Sequence, residues 1–342
     1  MAVNKKLRKQ DLGKLLGQWA QNYAILVPSR ENGVSGMAAW DGKDVSFLDW
    51  YRNTVRPVKD VFLPAVEAMF RFHRDRDGYH LEPSAPDGQK KLIFGIRPCD
   101  ASALSLLDRV FSEGYPDPYY LERRRNTLLV GLVCTEPYDS CFCTSVGGGP
   151  SDARNVDVLL TDLGKEFLVE ATSEAGQELI ATTSSLQEVG EADLARAEQV
   201  KESSQEKLSR HVNVDAVKDR LLSHFEDQDL WEQVSRKCLS CAVCTFLCPT
   251  CHCFDISEER TGKQGTRYRS WDSCAFPMYT RMPMENPRSE KWKRVRQRIS
   301  HKFEYFPINF GVLGCVGCGR CVRQCPVNLD ICATLEQLPA PK

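Results

Sequence analysis

Residues 238–249 read C-L-S-C-A-V-C-T-F-L-C-P, and residues 315–326 read C-V-G-C-G-R-C-V-R-Q-C-P. Both are C-x2-C-x2-C-x3-C-P. In such a run three closely spaced thiolates hold three irons of one cubane, and the fourth cysteine, beyond the longer gap, ligates the other cluster. Cys238, Cys241 and Cys244 therefore pair with Cys325, and Cys315, Cys318 and Cys321 pair with Cys248. An exchange of ligands needs two runs, and the chain has both. Zinc ribbons would use four of these thiolates per site and give no reason for the x3-Cys-Pro ending. The spacing predicts two [4Fe–4S] clusters.

The rest of the composition agrees. A chain of 342 residues is long enough for two domains with separate cores. Its net charge of -1 favours neither nucleic acid nor an anionic membrane as partner. Sixteen cysteines would mean disulfides in a small secreted protein. This chain is not small, and its opening MAVNKKLRKQDLGKLLGQWA lacks the apolar core of a signal peptide. The expectation is a soluble, cytoplasmic protein whose cysteines hold metal clusters. No apolar run approaches the length of a membrane span.

Toward the N-terminus the pattern is α/β. Residues 5–30 combine an amphipathic helix bearing Leu7, Leu12, Leu15, Leu16 and Trp19 with a strand over 23–27 that ends at Pro28. Short strands are expected around the Asp41-Gly42 turn, and a helix from Pro64 to Phe72. His73 and His80, with Arg71, Arg74 and Arg76, then belong to its solvated end. Residues 91–96 are an apolar strand leading into Arg97-Pro98-Cys99-Asp100 and a helical pattern; residues 127–133 are a second buried strand leading into Cys134. In such a layer, sites gather at the carboxyl ends of strands. Cys99 and Cys134 fall there, and Cys141-Phe142-Cys143 follow beside a glycine-rich turn. Cys99, Cys134, Cys141 and Cys143 are thus the candidate ligands of a third iron–sulfur cluster. The alternative is four small buried side chains. The string Val146-Gly147-Gly148-Gly149-Pro150 lacks the G-x-G-x-x-G frame, and no phosphate-binding G-x-x-x-x-G-K-[ST] run occurs, so no FAD, NAD or ATP site is expected.

Two further strands are expected over 155–171. Composition then shifts to Glu, Ala, Lys, Gln and Ser, with helices near 190–210 and 213–226 that carry His211 and His224 on their surfaces. This divides the chain into an α/β domain (1–180), a helical connector (181–235) and a two-cluster domain (236–342). The long spacer between Cys248 and Cys315 holds a basic helix with Lys291, Lys293, Arg294, Arg296, Arg298 and Lys302. A solvated helix that offsets cluster charge or docks an acidic partner is preferred to a nucleic-acid stripe. Cys251, Cys253, Cys274 and Cys332 are left over, as residues around the clusters or, alternatively, a further ligand set. His252 is expected to cap a helix or hydrogen-bond a sulfur rather than bind metal. Cys244, Cys248 and Cys251 spell C-x3-C-x2-C, but two of them already belong to the runs.

With these residues in view, the chain resembles the iron–sulfur β subunits of soluble sulfhydrogenases and the A subunit of anaerobic sulfite reductase. The resemblance rests on P-V-K-D-V-F-L-P (57–64), G-I-R-P-C-D-A-S-A-L (95–104), C-F-C-T-S-V-G-G-G-P (141–150), K-C-L-S-C-A-V-C-T-F-L-C-P-T-C-H-C-F-D-I (237–256), S-W-D-S-C (270–274) and the final cysteine run. It spans nearly the whole chain. It implies a mainly helical two-cluster domain similar to the α-helical ferredoxins. It also implies a non-catalytic role in anaerobic metabolism, passing electrons between a flavin-containing, NAD(P)-binding subunit and a terminal hydrogenase, sulfite reductase or heterodisulfide reductase-type partner. The chain departs from the family pattern in the Thr-Glu-Pro-Tyr-Asp loop after Cys134, where a glycine is expected near Tyr138. The rival reading is a catalytic reductase whose third cluster binds substrate. A further alternative, a nucleic-acid protein with structural clusters, rests on the basic helix alone.

Overall fold

The computed structural model describes residues 3–84 and 88–341. After β1 (Asn4–Arg8) and α1 (Leu12–Trp19) comes the hairpin of β2 (Ala24–Glu31) and β3 (Val34–Ala39). A second hairpin, β4 (Val66–Arg74) and β5 (Tyr79–Pro83), leaves this layer. The chain returns through β6 (Lys91–Ile96), α2 (Pro98–Ser112), α3 (Pro118–Arg125) and β7 (Thr127–Leu132). β8 (Val158–Asp162), β9 (Glu166–Ala171), α4 (Glu174–Ala181), β10 (Gln187–Glu188) and α5 (Glu191–Glu206) complete the α/β part.

Eight strands form one sheet in the order β10-β1-β9-β8-β7-β6-β2-β3, with β2, β6, β7 and β8 parallel and the rest antiparallel. The central strands are apolar on both sides because both faces are covered. Leu92, Phe94, Val130 and Leu160 pack with Leu12, Leu15, Leu16 and Trp19 of α1, while Ile93, Leu129 and Leu159 pack with Ala101, Leu104, Leu107 and Phe111 of α2.

Two local expectations are corrected. Leu7 lies in β1 and the helix spans only Leu12–Trp19; β2 continues through Pro28 to Glu31. Proline is tolerated there because β2 pairs with β6 only over Ala24–Leu26, so no ladder donor is missing at Pro28. Pro64 does not open a helix: residues 66–74 are β4, and His73 and His80 face each other across the β4–β5 hairpin. β5 pairs with β4 only over Phe70–Arg74, and the partner of the first half of β4 comes from far along the chain, which local periodicity does not register.

That partner lies in the cysteine-rich part. After α6 (Val217–Ser223), α7 (Gln228–Ser235) and α8 (Val243–Phe246), β11 (Phe254–Thr261) and β12 (Gln264–Trp271) form a hairpin. With β4 and β5 it makes an antiparallel sheet in the order β11-β12-β4-β5. Arg269 of β12 pairs with Glu67 of β4 at 2.7 Å, both side chains being buried. The segment 236–342 is therefore helical with an inserted hairpin, rather than mainly helical throughout. Its remaining helices are α9 (Lys291–Ser300), which runs through a π-helical turn (His301–Tyr305) into α10 (Phe306–Phe310), then α11 (Arg320–Arg323) and α12 (Ile331–Gln337). Trp231, Trp292, Ile299, Phe303 and Leu335 form their core, joined by Phe142 from the α/β part. His211 is exposed as expected, but His224 is buried, with Nε2 2.9 Å from the Ala340 carbonyl. Among the described residues, no helix is long and apolar enough to cross a membrane.

Candidate metal centres

The two cysteine runs have the same backbone. Ser240 and Ala242 in the first, and Gly317 and Gly319 in the second, occupy the third and fifth positions and all have positive φ. Each run then enters a one-turn helix, α8 or α11. The tight turns direct peptide N–H groups at sulfur: Ser240 N–H donates to Cys238 Sγ at 3.4 Å. Beyond the second run, Leu329 N–H donates to Cys325 Sγ at 3.2 Å.

Cys238, Cys241, Cys244 and Cys325 line one pocket, whose other walls include Val243, Val295, Ile299, Pro326 and Leu329. Four thiol donors in an apolar cup with backbone donors to sulfur fit a [4Fe–4S] cubane. Cys315 lies within electrostatic reach of Cys248 and Cys321, and Cys318 within reach of Cys248, which gathers the second quartet. The quartets adjoin at Cys244 and Cys321.

The basic helix faces this centre. Arg294, Arg298 and Lys302 recur every four residues, so they share one stripe. Arg294 donates to the carbonyls of Ala275, Arg288 and Ser289. Arg298 lines the first pocket. Lys302 is buried, with Nζ 3.3 Å from Cys248 Sγ, 2.8 Å from Thr250 Oγ1 and 3.1 Å from the Gly314 carbonyl. Burial alone would lower its pKa, but Cys248, Cys251 and Cys315 hold it above the ordinary lysine value. The expectation of a solvated helix is thus corrected for Arg298 and Lys302: these cations are held charged away from water by the cysteine sulfurs beside them, in keeping with a helix that offsets cluster charge. Cys248 Sγ also meets Thr250 Oγ1 at 3.2 Å. His252 directs Nδ1 at the Thr250 carbonyl, 3.1 Å away, and not at a sulfur.

Cys99, at the start of α2, and Cys134, just beyond β7, meet Cys141 and Cys143 around one small pocket shared with Asn53, Tyr138, Gly317 and Cys318. Burial raises the thiol pKa of Cys99, Cys134 and Cys143, the last to about 12. Buried thiolates need positive charge, which the irons of a cluster provide. The donor set therefore fits a cluster. Arg97 fixes this end of the sheet by donating to the carbonyls of Tyr51, Arg52, Leu132 and Val133. Tyr138, in the loop that departs from the family pattern, is held between the guanidinium groups of Arg52 and Arg323, 4.1 and 4.0 Å from its ring centre.

The third pocket is built onto the second cysteine run. Phe142 N–H donates to the Gly317 carbonyl at 2.8 Å, and Cys141 Sγ is 3.6 Å from the Cys318 carbonyl. A Cβ on Gly317 would come within 2.5 Å of Cys143 N, and one on Gly319 within 2.4 Å of Ser140 Oγ. Motif reasoning missed Asn53, whose Nδ2 is 3.7 Å from Cys99 Sγ, and Lys59, a buried lysine that donates to the Cys251 carbonyl at 2.8 Å. Lys59 lies in the P-V-K-D string, the one available hint. Cys332 packs in the helical core.

The fold and paired runs define an iron–sulfur dicluster protein: the 4Fe-4S dicluster domain family matches residues 237–329. The chain is 30% identical over 315 residues to sulfhydrogenase 2 subunit beta of Pyrococcus furiosus, covering 91% of each chain. It belongs to that family of iron–sulfur β subunits. No solved structure matches it.

Proposed function

We propose that this chain is the electron-transfer subunit of a cytoplasmic oxidoreductase complex, with [4Fe–4S] clusters at all three cysteine quartets. It would relay electrons between a flavin- and NAD(P)-binding subunit and a terminal hydrogenase, sulfite reductase or heterodisulfide reductase-type partner. The observation that supports this most is continuity. The first and second quartets meet at Cys244 and Cys321, and the second and third share the Gly317–Cys318 peptide. Clusters bound there would supply one-electron redox chemistry. The chain's own residues hold the sulfurs, exclude water and place cations beside them. At one end Cys241 is exposed and Leu239 is 64% exposed, which gives a partner access to the first quartet. At the other, Tyr138 between two arginines covers the third pocket, and this favours a relay over a substrate-binding cluster.

The test is made on the protein isolated anaerobically. Copurification with a flavoprotein, and no turnover by the separated chain with reduced viologen and sulfur or disulfide substrates, is the expected result. Turnover by the separated chain would overturn the relay in favour of a catalytic reductase.

A further inference from the structure

The β4–β5 hairpin, which the cysteine quartets do not use, brings two histidines and a carboxylate to one point. His73 stands opposite His80 in the register of the two strands, and their rings stack with centroids 4.7 Å apart. The turn adds Asp75, two residues beyond His73. Its Oδ1 accepts from the peptide N–H groups of Asp77 and Gly78, at 2.8 and 3.2 Å, which leaves Oδ2 directed at His80 Nε2, 2.9 Å away. A donor atom from each of His73, Asp75 and His80 lies within 4.8 Å of the other two. Side chains alternate between the faces of a strand, so Glu82 shares the face of His80. Its Oε1 is 4.0 Å from His73 Nδ1 and supplies a fourth donor.

Two imidazoles beside a carboxylate suit zinc and its neighbours, whereas calcium and magnesium take shells of oxygen. Around a tetrahedral ion, the usual Zn–N and Zn–O lengths put donors about 3.5 Å apart. His73, Asp75 and His80 are each close to half exposed, so side-chain rotation can close the remaining gap. At that exposure an ion pair alone contributes little to stability.

We propose that His73, Asp75 and His80 bind a divalent transition-metal ion of the zinc class, with Glu82 or water completing its shell. The ion clips the edge of the second sheet. All five residues of β5 are exposed, and among the described residues β5 pairs only with β4. Ligands on β4, on the turn and on β5 thus supply through coordination the hold that burial does not give this strand. The site stands independently of the iron–sulfur reading.

The test uses the full chain as isolated anaerobically, cleared of loosely held metal, with Zn2+ as the probe. Bound zinc, iron and acid-labile sulfide are measured together after equilibrium dialysis at micromolar Zn2+. The His73→Ala/His80→Ala double variant is expected to bind about one zinc ion fewer per chain than the wild type, with iron unchanged. Asp75→Asn is expected to bind that ion more weakly. Equal zinc in the wild type and the double variant, as ions held by free cysteines would give, would overturn the proposal. A second measurement, on the wild type alone, covers a variant that does not fold. Histidines are acylated with diethyl pyrocarbonate, with and without Zn2+, and mapped by mass spectrometry. Zinc is expected to protect His73 and His80 but not the exposed His211. Equal modification of His73 and His80 in both samples would overturn the site.

Discussion

Arg320, between Cys318 and Cys321, forms a two-pronged ion pair with Asp100, the neighbour of Cys99, at 2.9 and 2.7 Å, and both side chains are 0% exposed. The guanidinium also donates to the Thr54 carbonyl, Thr54 Oγ1 and Asn53 Oδ1. One buried residue thus ties the loop of the second quartet to the helix start that carries Cys99 of the third. Removing one partner of such a pair leaves an uncompensated buried charge, at a cost of about 3–5 kcal/mol. Arg320→Leu is expected to lower stability by that order in anaerobic urea unfolding, and Arg320→Lys to lose part of it because an ammonium cannot match the fork. Wild-type stability in Arg320→Leu would remove the pair from the account.

Gly317 is the second point of contact between these sites. It has positive φ, and its missing side chain leaves room for Cys143 N. Gly317→Ala is therefore expected to displace the Cys141–Cys143 loop. Iron content should fall by about four per chain, one cubane, while the EPR signal from the Cys238, Cys241, Cys244 and Cys325 site persists. Full iron content in the variant would contradict the shared-loop geometry.

Lys302 places a positive charge 3.3 Å from Cys248 Sγ. A nearby cation favours the more negative, reduced state of a cluster. Lys302→Met is expected to shift the potential of the second centre negative by tens of millivolts, ~60 mV being tenfold in a one-electron equilibrium. An EPR-monitored redox titration reads the change. An unchanged or more positive potential would argue against a cluster at Cys248.

Burial lowers the pKa of His252 to about 4 and that of His301 to about 3, and their rings lie 5.4 Å apart. Both stay neutral in the folded protein while the unfolded chain takes up protons below about pH 6.5. Their contribution is therefore fully present above that pH and is lost as pH falls. For His252 the loss is on the order of 3 kcal/mol by pH 4. The urea midpoint should drop between pH 7 and 5, and His252→Asn, which keeps a donor for the Thr250 carbonyl, should flatten that drop. An equal slope in the variant would assign the acid sensitivity elsewhere.

Much of this architecture could be read from short-range pattern. The β6–α2–β7 unit announces itself through two apolar strands and Pro98 opening a helix, and the two cysteine runs through spacing alone. What local pattern does not carry is long-range pairing. Pro64 suggests a helix start, whereas the first half of β4 finds its strand partner about two hundred residues on, Glu67 opposite Arg269. The inward stripe of Arg294, Arg298 and Lys302 likewise looked solvated, because charge periodicity does not say which face meets the thiolates. The missing glycine near Tyr138 signals a change in the loop, but not that two arginines hold the tyrosine ring.

The central claim is that three cysteine quartets, and not two, hold clusters. Iron and acid-labile sulfide per chain, measured on the anaerobically purified protein with EPR of the dithionite-reduced state, test it most directly. The account predicts about twelve irons and twelve sulfides, four of each per cubane. About eight of each would confine the clusters to the paired runs and leave Cys99, Cys134, Cys141 and Cys143 as packing residues, contradicting it.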